Sequence, residues 1–205
     1  MSNKIITSRQ YSIVVGLLLG DGYLYKDGRL QVEQSMNHQQ YLEWLYYELL
    51  NLSVKLSLNI KRIHPKTGKD SFSCRFYTLK CFTTLEEIFY KNLNNEKKRT
   101  KVGPIQIEQF VDPVALAVWF MDDGGKAQNT RRAAYINATS FTSSERVLLQ
   151  KAVQNVFGLK INIQKAGGNN QYNFYIPASS YEKFCEIVLP TVLLIPEMAY
   201  KLGNN

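Results

Sequence analysis

Val14-Val15-Gly16-Leu17-Leu18-Leu19-Gly20-Asp21-Gly22 and Leu116-Ala117-Val118-Trp119-Phe120-Met121-Asp122-Asp123-Gly124 read as two copies of one design. Each is an apolar stretch of helical character that carries small residues and ends in Asp-Gly. A carboxylate at a helix C-terminus opposes the helix dipole, so local stability disfavours it there. Its appearance twice, each time before glycine, assigns it another job. Two such helices packed side by side bring Asp21 and Asp123 together at one end. In a basic protein, paired carboxylates point to metal ions acting on a phosphodiester.

The surrounding sequence repeats as well. Thr7 or Ser8 caps a helix running to about Gly20. Residues 23–35 alternate around a turn at Asp27-Gly28. From Gln39 to Leu52 a helical pattern returns, with Tyr41, Leu42, Leu45, Leu49 and Leu52 on one side. Residues 58–64 and 72–79 read as two strands, and Thr84 as the cap of a short helix through Tyr90. Residues 94–103 read as a polar, basic connector. Pro113 suits the first turn of the second motif helix. Residues 131–140 fit a strand, and Thr142-Ser143-Ser144-Glu145 is a capping box for a helix ending near Gly158. Residues 160–165 and 171–177 form a hairpin, and Ser179 or Ser180 starts a helix through about Leu189. The order helix, hairpin, helix, hairpin, helix thus occurs twice, an internal duplication with expected halves 1–103 and 104–205. Lys101 follows Asp21, and Lys201 follows Asp123, at nearly equal separations, each after the last helix of its half. Each half contributes one carboxylate and one lysine to a pseudo-symmetric centre.

Composition narrows the class. The 205 residues are 45% hydrophobic, enough for a sizeable core, and the net charge of +8 favours a polyanionic partner. No apolar run is long enough to span a bilayer, and residues 1–10 lack the apolar core of a secretory signal, so no membrane partner is expected. Three cysteines without ligand spacing fit free thiols in a reducing compartment. His38 and His64 lie too far apart in sequence to suggest a histidine-based zinc site or triad. Abundant Asn, Lys, Ile and Tyr suit an AT-rich genome. An organelle-encoded protein of the mitochondrial matrix or chloroplast stroma is therefore expected, with the bacterial cytoplasm as the alternative.

The two motif copies, with the longer run Pro113 to Lys126 (PVALAVWFMDDGGK), the KVGP segment and the C-terminal PEMAYKL, resemble the LAGLIDADG homing endonucleases of the single-chain, two-motif branch. That resemblance implies an α+β fold of two αββαββα subdomains. The motif helices pack at a pseudo-two-fold axis, and two antiparallel four-stranded sheets form a saddle for the DNA major groove. It implies that Asp21 and Asp123 bind Mg²⁺, with Mn²⁺ able to substitute. Gly20 and Asp122 precede them at the metal site and differ between the halves, Asp122 serving as a supporting or backbone-capping group. It matches Lys101 and Lys201 to the family's basic catalytic residues, with Lys97, Lys98 and Lys126 as alternatives. It further implies a monomer that cuts both strands of a long double-stranded DNA target, leaving 3′ overhangs. An RNA maturase that assists intron splicing is the alternative on the same scaffold.

The strand segments are rich in hydrogen-bonding side chains that suit base readout. They are Gln31, Glu33 and Gln34, then Lys61, Arg75 and Tyr77, and after the second motif Arg131, Asn137 and Thr139. Asn162, Gln164, Gln171, Asn173 and Tyr175 occupy the last pair. Which of them share a face depends on register, because a slip of one residue reverses every side chain.

Overall fold

The computed structural model describes residues 5–63, 67–92, 99–127, 130 and 132–203. Its first half runs α1 (Ser8–Leu19), β1 (Tyr23–Leu24), β2 (Leu30–Ser35), α2 (Gln39–Glu48), β3 (Ser57–Ile63), β4 (Asp70–Tyr77) and α3 (Thr83–Phe89). A small hairpin of β5 (Tyr90–Asn92) and β6 (Arg99–Lys101) leads to α4 (Pro113–Asp123). The order then repeats with β7 (Gly124–Lys126), β8 (Ala134–Asn137), α5 (Ser143–Phe157), β9 (Asn162–Lys165), β10 (Tyr172–Ile176) and α6 (Ala178–Val192), and a 3-10 segment, Pro196–Leu202, follows. The fold is α+β, with two antiparallel four-stranded sheets in the matching orders β1-β2-β4-β3 and β7-β8-β10-β9. Among the described residues no helix is long and apolar enough to cross a membrane.

Local signals set most of these boundaries. Thr7 and Gln10 form a capping box on α1, and Thr142 and Glu145 form one on α5. Several boundaries differ from the sequence reading. α3 starts at Thr83 without a side-chain cap, so Thr84 lies inside it. Tyr90 leaves that helix for β5, where its hydroxyl accepts the Leu24 N–H at 3.0 Å. Part of the expected connector is the strand β6, which pairs with β5. α6 continues past Leu189 to Val192, because Pro190 removes one N–H from its last turn without ending it.

The two motif helices form the centre of the core. Ile13, Val14, Val15, Leu17 and Leu18 of α1, and Ala117, Val118 and Phe120 of α4, are fully buried. Trp119 packs edge-on to Phe141 and Phe174. The apolar face read for α2 is also inside, from Tyr41 to Leu52.

Close approach of the helices depends on Gly16. A Cβ there would stand 2.6 Å from the Ala115 carbonyl oxygen and 2.7 Å from Val118 Cβ. At the opposite end from the aspartates, Asp112 caps α4 by accepting the Ala115 N–H at 2.8 Å. Its other oxygen accepts the Ser12 hydroxyl of α1 at 2.5 Å, so one carboxylate ties both helix starts together.

Helix propensity and packing make opposite demands at Gly16. Alanine would favour the helix by about 1 kcal/mol, but overpacking costs about 1–3 kcal/mol, and here the obstructing atom is backbone. Gly16→Ala should therefore lower the urea midpoint. Thr142→Ala, which only removes a cap, should cost about 1 kcal/mol. A Gly16→Ala protein at least as stable as the parent would show that the helix pair does not need this contact.

Candidate metal and nucleic-acid site

Both motif helices end at the same edge of the molecule, and a third carboxylate fastens them there. Asp122 Oδ2 accepts the backbone N–H of Asp21 at 3.0 Å. Asp122 Oδ1 accepts the Tyr41 hydroxyl at 3.0 Å and the Gln34 side-chain amide at 3.2 Å. Gly20 makes room for this arrangement, since a Cβ there would lie 2.5 Å from Asp122 Oδ2. The difference between the halves is therefore complementary: a missing side chain in one accommodates a carboxylate from the other. Burial, reinforced by the Asp21 charge, pushes the Asp122 carboxyl well above the usual carboxylate range.

Asp21 and Asp123 stand differently. Asp21 is exposed and Asp123 is partly buried. Among the described residues neither carboxylate takes part in a hydrogen bond or ion pair of the protein. Burial, with the Asp21 charge second, pushes the Asp123 carboxyl up to about 7, against the pull of Lys101 and Lys201. Two mutually repelling carboxylates with unspent oxygens are hard donors, the kind that magnesium and manganese accept. Among the described residues no group of three or more His, Cys, Asp or Glu side chains could close around a metal. The site thus fits a hard divalent ion that completes its shell with water and phosphate, and does not fit a zinc-type cage.

The lysines address the backbone. Lys101 Nζ donates to the carbonyls of Gly20 at 2.6 Å and Gly22 at 3.1 Å. Lys201 Nζ donates to the carbonyls of Met121 and, at 3.0 Å, Asp122. Neither motif helix has a basic residue in its own last turn. Cations from β6 and from the 3-10 segment therefore supply the positive charge that a helix C-terminus favours. Burial pulls both ammonium groups below the ordinary lysine value, and the three aspartates oppose that shift. Each ammonium has a third N–H beyond these two bonds.

The expected metal residues divide accordingly. Asp21 and Asp123 present open oxygens, whereas the Gly20 carbonyl already accepts from Lys101 and Asp122 already accepts three hydrogen bonds. Lys126 is exposed at the end of β7, against Gly203. Lys97 and Lys98 lie outside the described residues. The sequence reading placed Tyr41 only in the core, yet its hydroxyl reaches the site. A tyrosine at a fully buried position was the available signal, because its hydroxyl needs a partner.

The sheets sort the candidate base-reading residues by face. In the first sheet Gln31, Glu33, Arg75 and Tyr77 lie on the face away from the core, with Ser35 and Ser73. Gln34 points the other way, is buried, and supports Asp122. Lys61 also leaves that face. A bulge between Ser57 and Ile60, with Asn59 at φ 55°, shifts the alternation, so Arg62 takes the place expected of Lys61. Lys61 instead pairs with Asp70 at 2.8 Å.

In the second sheet Asn137, Asn162, Gln164, Asn173 and Tyr175 share the face away from the core, together with Tyr135. Thr139 lies past β8, and its hydroxyl closes the ladder onto the backbone of Tyr172. Gln171 is exposed in the turn before β10, and Arg131 lies outside the described residues.

Comparison with known proteins agrees with this architecture. The model of the LAGLIDADG DNA endonuclease family matches residues 11–184. The chain is 30% identical, over 98% of its length and 76% of the other's, to the cytochrome b mRNA maturase bI2 of Debaryomyces hansenii. It is 28% identical to the DNA endonuclease I-ChuI of Chlamydomonas applanata, over 98% of this chain and 97% of that protein. Among solved structures, the homing endonuclease I-WcaI bound to its DNA recognition sequence superposes with a TM-score of 0.84 at 26% identity, covering 98% of this chain and 89% of that one. With both motif helices in one chain and the family match spanning them, the protein belongs to the LAGLIDADG homing endonuclease family, in its single-chain, two-motif form.

Proposed function

We propose that this chain is a site-specific endonuclease that hydrolyses both strands of a long DNA target with divalent metal and leaves 3′ overhangs. The observation that carries this reading is the pair Asp21 and Asp123, unspent carboxylates brought together at the shared end of two packed helices. The sheets of the two halves flank that end and offer polar faces to a groove wide enough for strands. Residues 1–103 and 104–205 act as the two subdomains, and one chain carries both carboxylates, so a monomer holds a complete site.

Asp21 and Asp123, whose carboxylate oxygens are open, would hold the metal. Magnesium, with manganese as substitute, would supply Lewis-acid stabilisation of phosphate charge and an activated water. Water adds to phosphorus in line with the departing 3′ oxygen: the new P–O bond forms as the P–O3′ bond breaks, the attacking water gives up one proton to solvent, and the 3′ oxygen takes one from solvent and leaves as a 3′-hydroxyl, with the phosphate retained on the 5′ end. Lys101 and Lys201 keep the helix ends in place and aim their remaining N–H at a phosphate oxygen or the attacking water. Asp122, Gln34 and Tyr41 position the Asp21 backbone and stay outside the metal's ligand set.

A second reading, an RNA maturase acting on intron RNA, is favoured by the 30% identity to the Debaryomyces hansenii maturase. An organelle origin suits either reading.

Two outcomes are expected. Asp21→Asn and Asp123→Asn should each abolish cleavage of a target drawn from a randomised duplex library, while gel-shift affinity for that target changes by less than about tenfold. Cleavage surviving in either variant would remove that residue from the mechanism. Chelation by EDTA should stop cutting, and added Mg²⁺ or Mn²⁺ should restore it; activity that persists in EDTA would exclude the metal assignment. A parent protein that cuts no duplex yet binds structured RNA tightly would decide for the maturase.

A further inference from the structure

The two sheets differ in chemistry on their outer faces. On the first, Glu33 is the hub of a charged cluster. Its carboxylate accepts Arg75 Nε at 2.7 Å and pairs with Arg75 Nη2 at 2.5 Å. It also accepts Arg62 Nη2 at 2.8 Å, the Ser73 hydroxyl at 2.7 Å and the Gln31 amide at 3.3 Å. Two carboxylate oxygens offer about four lone-pair sites, and four side chains fill them, so Glu33 has no capacity left to read a base itself. Arg75 is different. Beyond the bonds of Nε and Nη2 to Glu33, Nη1 donates to the Tyr77 hydroxyl at 2.8 Å. Three of its five N–H donors are thus engaged and two are left.

An arginine with two donors left and a fixed plane is suited to bidentate contact with guanine O6 and N7. The location is also informative. Gln34, the neighbour of Glu33 on the opposite face of β2, donates to Asp122. The Glu33–Arg75 row is therefore one residue along β2 from a contact with the carboxylate centre.

The second sheet carries no charged side chain on the corresponding strand positions among the described residues. Asn162, Gln164 and Asn173 sit there, and among the described residues no protein hydrogen bond engages their side-chain amides. Amide side chains match adenine N6 and N7 as the arginine fork matches guanine.

We propose that Arg75, held in plane by Glu33, reads a guanine at an inner position of one half-site, while the amides of the second sheet read A·T pairs in the other. The recognised DNA is then asymmetric in base composition. This rests on the DNA-binding reading above. Glu33 is a positioning residue in this scheme, and Arg75 is the group that touches the base.

The test is selection of a randomised duplex library by binding in EDTA at one stated salt concentration, followed by sequencing. The parent should select guanine at one inner position, and its opposite half-site should be enriched in A·T pairs. Arg75→Lys keeps the charge but loses the fork. It should lose the guanine preference by about 5- to 150-fold, the discrimination of one bidentate pair, while still selecting the rest of the site, which also shows that it is folded. Glu33→Gln should weaken the same preference without moving other positions. Asn173→Ala should flatten positions only in the other half.

An unchanged guanine preference in Arg75→Lys, or a G·C-rich half-site that responds to Asn173→Ala, would overturn the proposal. If the parent itself enriches no duplex, every position is flat and the DNA-binding reading beneath it falls as well.

Discussion

Everything at the functional end of this molecule depends on how closely α1 and α4 approach. Two apolar helices can pack at many distances, but a near backbone contact is what brings their two C-terminal carboxylates together at one end. Gly16 permits that contact, and Asp112 bonding Ser12 fixes the far end of the pair. The arrangement is electrostatically costly: two helix C-termini and three aspartates converge, and each of those charges opposes the others. Apolar burial along the helices, complete over most of both, holds together an end that charge alone would push apart.

The protein manages that cost with groups from outside the motifs. Lys101 and Lys201 arrive from the ends of the two halves and bind main-chain carbonyls, placing positive charge where the helix dipoles are negative. Their approach to the carbonyls leaves the carboxylates of Asp21 and Asp123 open. A direct lysine–aspartate pair would have neutralised the charge and also occupied the oxygens that the proposed metal would need. Asp122 solves a different problem. Three donors satisfy it, and in return it fixes the backbone of Asp21 across the pseudo-two-fold axis. The two centres are accordingly unequal: Asp21 is held by a carboxylate from the other half, and Gly20 can offer Asp123 no such group.

The parts of this design that were legible in the sequence are the parts governed by local chemistry. Helix starts follow from a cap at Thr7 or Ser8, which the structure settles as Thr7, and from the capping box at Thr142, and the motif helices from their apolar runs and terminal Asp-Gly pairs. The duplication follows from the repeated order of such signals. What was not legible depends on neighbours distant in sequence. Tyr90 reads as helical until β6 is present to pair with it. Gln34 and Glu33 are adjacent and equally polar, and only the sheet decides that one supports Asp122 while the other faces outward. Lys61 and Arg62 exchange roles because of one left-handed residue, Asn59, which lets three residues of β3 span two of β4. Alternation cannot be followed through a bulge that the sequence does not announce.

The same bulge links backbone geometry to chemistry. Without it, Lys61 would stand on the outer face and Arg62 would turn away, leaving Glu33 with one arginine in place of two. Lysine is a point charge on a flexible stem, whereas arginine is a planar fork. An outer face bearing Lys61 would attract phosphate without imposing an orientation. With Arg62 there, two guanidinium groups and one carboxylate lock each other, and the sheet presents a charged group whose plane is set before any ligand arrives. Rigidity of this kind lowers the ordering cost of recognition. Among the described residues the amides of the second sheet have no such internal lock, so the two halves of a duplicated fold arrive at their polar faces with different degrees of preorganisation as well as different chemistry.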